Sequence, residues 1–76
     1  MIRPLRDIAN EILTDWKKVS YSAKPYLDAM RLMGSIRDNY GFDSGESIVI
    51  YFLANAGSWR GETAKRIKKE LKEMIK

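Results

Sequence analysis

Residues 48–54, IVIYFLA, are the longest uninterrupted apolar run in the chain, and the way that run is satisfied decides the fold. Isoleucine, valine, tyrosine and phenylalanine favour a strand, and a lone apolar run has no periodicity to settle the matter. A strand needs a partner, and no second strong strand occurs in the sequence. Asp43 and Glu46 precede the run at capping-box spacing, with aspartate in the serine or threonine role. Ala54, Asn55 and Ala56 extend it. The expectation is a helix over about 44–56, apolar on nearly every side and therefore central and buried.

The rest of the chain reads as helices that surround it. Leu5, Ile8, Ala9, Ile12, Leu13 and Trp16 recur at three and four residues and predict a helix over 4–18. Pro4 suits its first turn, where a missing N–H costs nothing, and Lys17 and Lys18 fall at its C-terminal end, where the helix dipole favours them. Pro25 opens a second helix over 25–39, with Tyr26, Ala29, Met30, Met33, Ile36 and Tyr40 at helical spacing. Gly34 within it permits a neighbouring helix to approach closely, and Gly41 is a left-handed helix stop. Residues 60–75 form the last helix, with Ala64, Ile67, Leu71, Met74 and Ile75 inward. Short connections make successive helices neighbours. The fold class expected is all-α, a compact single domain over 1–76 built from about four short helices.

Composition narrows the chemistry. A chain of 76 residues buries only ~60% of the surface its unfolded form exposes, which leaves no room for a deep enclosed site. There is no cysteine, hence no disulfide and no thiolate ligand, and no histidine, the commonest general base and metal ligand. No P-loop pattern is present. Asp38, Asp43 and Glu46 surround a glycine-containing loop, but counting from Asp38 places Tyr40, Phe42 and Val49 at EF-hand ligand positions, so that pattern fails. No catalytic residue, cofactor or metal is expected, and the chain reads as a non-enzyme. The charged N-terminal stretch lacks the apolar core of an export signal, and seven apolar residues cannot span a bilayer. A cytoplasmic, soluble protein is expected.

Charge concentrates at one end. Residues 1–57 carry seven positive and seven negative side chains, so the whole net charge of +4 resides in residues 58–76. A helix-turn-helix register places Ala54 at the inward small-residue position, the turn on Gly57, Ser58 and Trp59, and Ala64 and Ile67 inward on the second helix. Gly57 then stands where an apolar residue is usual, and Ser58 where glycine is usual. In this reading Arg60, Lys65, Arg66, Lys68, Lys69 and Lys72 are the nucleic-acid contacts, interrupted by Glu62, Glu70 and Glu73. The apolar stripe of the same helix is better used on the core than on a membrane surface.

The run NYGFDSGESIVIYFLANAGSWRGETAKRIKKELKEM, residues 39–74, resembles a family of short phage and prophage proteins of uncharacterised function. The likeness rests on NYG-x-DSG-x-SIV, on YFLANA, and on WRGETA followed by a charged helix. It implies a mobile-element setting and supplies no catalytic residue. The function expected is a small interaction protein that binds a protein partner or itself, with DNA binding through the basic C-terminal helix as the alternative. Trp59 beside Arg60 has the composition of an interface anchor; alternatively Trp59 folds inward and closes the core. The protein-binding residues expected are Trp59 and Arg60, with Tyr40 and Phe42 as a second contact.

Overall fold

The computed structural model describes residues 3–75. Four helices and one small hairpin follow in the order α1 (Leu5–Asp15), α2 (Lys24–Met30), β1 (Asn39–Tyr40), β2 (Asp43–Ser44), α3 (Gly45–Ala54) and α4 (Glu62–Met74). α1 packs against α2 and α4, and α3 packs against α2. The radius of gyration is 11.0 Å, against about 11.4 Å expected for a domain of this length. This is the small mostly-α domain that the spacing of apolar residues predicts.

α1 buries the expected stripe, Leu5, Ile8, Ala9, Ile12 and, just past its end, Trp16. Pro4 precedes it and makes no side-chain cap. The free N–H groups of its first turn go instead to another segment: Leu5 N–H donates to the Gly34 carbonyl at 3.1 Å and Arg6 N–H to the Met33 carbonyl at 2.9 Å. α1 stops at Asp15, so Lys17 and Lys18 lie beyond it rather than in its last turn.

The same contacts correct the second helix. α2 ends at Met30 rather than running to residue 39. Leu32 and Met33 turn back onto Ala29 and Met30 in tighter three-residue steps, and the carbonyls of Met33 and Gly34 swing out to receive α1. The Asp38 carboxylate accepts the N–H groups of Gly34 and Ser35, both at 3.0 Å. Asp38 therefore staples a turn, and its own carbonyl accepts Gly45 N–H at the base of the hairpin.

Gly41 is left-handed as expected, φ 65°, but as a hairpin turn and not a helix stop. Asn39 pairs with Ser44 and Tyr40 with Asp43, leaving Gly41–Phe42 as a two-residue loop. Positive φ at Gly41 alone is the type II′ pattern, whose twist matches antiparallel strands. The helix start follows immediately. Ser44, not Asp43, is the N-cap, its Oγ accepting Ser47 N–H at 3.1 Å. The run 48–54 is helical, but it is not buried all round. Ile48, Val49 and Phe52 face the core, while Ile50 and Tyr51 remain 45% and 46% exposed.

Gly45 is where the hairpin meets the 35–38 turn most closely. A Cβ there would stand 2.5 Å from the Ile36 carbonyl oxygen, whereas one at Gly57 would meet nothing within 4 Å. Gly45→Ala should therefore destabilise the protein by about 1–3 kcal/mol, and Gly57→Ala should be neutral or stabilising by up to ~1 kcal/mol. Urea midpoints of the two variants test this, and equal midpoints would refute the close approach.

Candidate functional site

Trp59 is 2% exposed. Its ring stacks on Trp16 with centroids 5.7 Å apart and planes 12° from parallel, and Phe52 meets both indoles edge-on at 6.3 and 6.4 Å. Its indole N–H donates to Asp15 Oδ2 at 2.8 Å. Trp59 is thus a core residue that joins the end of α1 to α3 and to the loop before α4. It is removed from the contact surface expected of it, because both its apolar ring and its polar edge are satisfied inside the fold.

Lys68 is the second correction. Its ammonium donates to the carbonyls of Ala56 at 2.8 Å and Trp59 at 2.7 Å, and stands 5.8 Å from the Trp59 ring centroid. These carbonyls follow the end of α3, so Lys68 ties that loop to α4. Burial, and then the positive charges of Lys72 and Arg60, push its pKa below the ordinary lysine value. It is held by the fold and does not present a free charge.

Arg66 is also engaged. It pairs with Glu11 on α1, which in turn accepts from Arg3 Nη1 at 2.7 Å. Arg3 grips Glu70 with both Nε and Nη2, at 2.9 and 2.6 Å. These bonds hold Glu11 and Glu70 below the usual carboxylate range and Arg3 above its own: at Glu11 the Arg3 bond acts first and Arg66 second, at Glu70 the Arg3 bond dominates. The network fastens α4 to the start of α1 along one flank.

That flank sorts the charges of α4. Glu62, Arg66, Glu70 and Glu73 share one side of the helix, and Arg66 and Glu70 reach across to α1. Lys65, Lys68, Lys69 and Lys72 recur at the spacing that places them along another side. Ala64, Ile67 and Leu71 occupy the core between these flanks. Arg60, Lys65, Lys69 and Lys72 are exposed and, among the described residues, form no ion pair. The glutamates that interrupt the lysines in sequence therefore border them in space instead of lying among them.

The helix-turn-helix register does not survive in its detail. Ala54, expected inward, is exposed, and Ala56 is the buried small residue at this turn. α4 takes α1, not α3, as its main packing partner.

Tyr40 and Phe42 are where a contact surface requires them. Phe42 is fully exposed at the hairpin tip and Tyr40 is half-exposed beside it. Ile50 and Tyr51, absent from the expected contact set, form a further outward apolar pair on α3, with Tyr51 beside Tyr26 at 5.5 Å between ring centroids. Their signal was an apolar run too long for one buried helix face. An open depression of about 340 Å³ beside α2, lined by Tyr21, Lys24, Pro25 and Asp28, is too open to enclose a substrate.

Among the described residues no helix is long and apolar enough to cross a membrane. No family model, no curated protein and no solved structure matches the chain. Fold and surface define a small mostly-α domain with an aromatic hairpin tip and one lysine-rich helix flank.

The two kinds of lysine should separate by mutation. Lys68→Met leaves the Trp59 carbonyl without its donor and the Ala56 carbonyl with only the Trp59 N–H, and should cost about 1–3 kcal/mol, while Lys69→Met should stay within ~0.5 kcal/mol of the parent; thermal unfolding reads both. The ion network predicts a pH dependence. Glu11 and Glu70 have folded pKa values below the ordinary 4.5, so the unfolded chain binds more protons. Their contribution is fully present above about pH 4.5 and is lost as pH falls through the folded values. Urea midpoints should drop on acidification below about pH 4.5, and Glu70→Gln should flatten that drop; an unchanged pH profile in the variant would remove the network from the account.

Proposed function

We propose that this chain is a small non-enzymatic interaction protein, of the phage or prophage type its second half resembles, which works in the cytoplasm by binding a protein partner through its aromatic hairpin. The observation that carries this reading is Phe42, a large apolar side chain fully exposed on a turn whose geometry needs Gly41 but makes no demand for phenylalanine at the next position. Aromatic side chains are enriched at the anchors of protein interfaces. The tip is held firmly: two paired residues on each strand, the Asp38–Gly45 bond beneath them and the Ser44 cap fix its direction. Such an anchor is pre-organised, which limits the ordering cost of binding.

Tyr40 contributes beside Phe42, and Ile50 and Tyr51 extend the apolar surface on the helix that follows. Of the expected pair beside the hairpin, Trp59 is buried and Arg60, though exposed, stands just ahead of α4, so neither is counted in this surface. The non-enzymatic reading is supported by the lack of histidine and cysteine and by the use of Glu11, Glu70 and Asp38 in holding the fold.

The test compares the parent with Phe42→Ser and Tyr40→Ser. Capture of a protein from host lysate, resistant to nuclease, should be lost in both variants while the far-ultraviolet helical signal is retained. Capture that persists in both would discard the hairpin as the contact. A mass in solution that doubles with concentration, and reverts to one chain in Phe42→Ser, would identify the partner as a second copy.

A further inference from the structure

We infer that the lysine flank of α4, with Arg60 ahead of it, is a second binding surface that takes the phosphate backbone of duplex DNA without reading its sequence. It is separate from the hairpin and does not depend on it. Four cations, Arg60, Lys65, Lys69 and Lys72, are exposed and form no ion pair among the described residues. Lys65 and Lys72 lie roughly 10 Å apart along the helix axis, comparable with the ~12 Å width of a B-form major groove. Lys68 lies between these cations and feels two of them, since Lys72 and Arg60 both act to lower its pKa. Arg60 and Lys72 therefore both lie near Lys68, and the helical spacing of 65, 68, 69 and 72 places the four lysines along one side of α4.

The side chains on this flank select among polyanions. A membrane surface needs apolar side chains beside the lysines, but the apolar side chains of α4 are in the core and the large exposed hydrophobic residues lie on other elements. An acidic protein surface would be met by aromatic or arginine anchors in a dry centre, a place where lysine is depleted. Single strands need exposed aromatic rings for base stacking, and none occurs on α4. What remains is a line of flexible point charges suited to phosphate oxygens. Asparagine and glutamine, which pair with adenine, are absent from α4, and its unpaired cations are lysines, flexible point charges without the rigid fork that fixes arginine on a base edge, so we take the contacts to position the duplex and to carry no sequence information. The open major groove of B-form DNA, ~12 Å wide, lets lysines on one helix reach phosphates at its rim, whereas the A-form major groove is deep and narrow.

The full chain is titrated against labelled duplexes of two unrelated sequences between about 20 and 200 mM KCl. Four phosphate contacts give a slope of log affinity on log salt of about −3.6, a loss of roughly 150-fold between 50 and 200 mM. Lys65→Gln with Lys69→Gln should weaken binding and make the slope shallower by about 2, equally for both sequences, with the helical signal unchanged. Glu73→Gln, at the border of the flank, should tighten it. No duplex binding at 20 mM salt, a slope that the double variant leaves unchanged, or a preference for one sequence overturns the inference. Polyglutamate bound as tightly as duplex DNA would reassign the surface to an acidic protein. Double-stranded RNA bound as tightly as DNA would overturn the choice of B-form duplex.

Discussion

The stack of Trp59 on Trp16, with Phe52 set against both, is the contact on which the arrangement of helices depends. A chain without cysteine must close its core by packing alone, and the segment between α3 and α4 has no regular structure to do so. Trp59 places a large ring from that irregular segment between α1 and α3. Burying an indole exposes the problem of its N–H, which Asp15 answers from the end of α1. Lys68 then satisfies the carbonyls on either side of the turn and faces the ring. Removing any one of these three would leave a polar group or a ring without its partner in the same small volume.

Arg3 has the corresponding role at the other end of the α1–α4 contact. Its fork holds Glu70 and Glu11, and Arg66 joins through Glu11. The pairs are about a third exposed, so each adds little alone, but together they fix which side of α4 faces α1. The consequence is electrostatic. Once Glu70 and Arg66 turn toward α1, the lysines at 65, 69 and 72 are left on a flank of their own. A charge sequence that looks mixed along the chain becomes segregated in space.

Much of this was legible in the sequence where the relevant interaction is local. The stripes of α1 and α4 and the helical state of 48–54 follow from spacing and from the lack of a partner strand. α2 was overextended because its periodic residues continue past Met30, while the reason for stopping lies elsewhere: α1, some thirty residues earlier in the chain, needs the carbonyls of Met33 and Gly34. The hairpin was missed because Gly41 serves a helix end and a two-residue turn equally well. For the candidate surface, the exposure of Tyr40, Phe42 and Arg60 could be anticipated from residue type and turn composition. Trp59 and Lys68 could not be assigned, since the same residues suit an interface or a core, and only long-range packing decides. The lysine line is present in the spacing 65, 68, 69, 72, but its separation from the glutamates follows only once Glu70 and Arg66 turn toward α1.

A distinction between what folding needs and what it does not bears on both surfaces. The hairpin needs Gly41 for its turn, Gly45 for its approach to Ile36, and Ser44 for the helix cap. It does not need phenylalanine at 42, where a polar residue would suit water better. In the same way α4 needs Ala64, Ile67 and Leu71 for the core, Glu70 and Arg66 for α1, and Lys68 for the preceding loop. It does not need lysine at 65 and 69, whose like charges four residues apart repel one another by a few tenths of a kcal/mol, whereas Lys72 in the last turn suits the helix dipole. Residues whose identity works against the isolated fold, on surfaces the fold holds rigid, are where an interaction with another molecule would offset the cost. Phe42 and the lysines at 65 and 69 meet that criterion on different sides of the charge and apolar scale, which is why the hairpin and the lysine flank are proposed as two surfaces of different chemistry and not as one extended site.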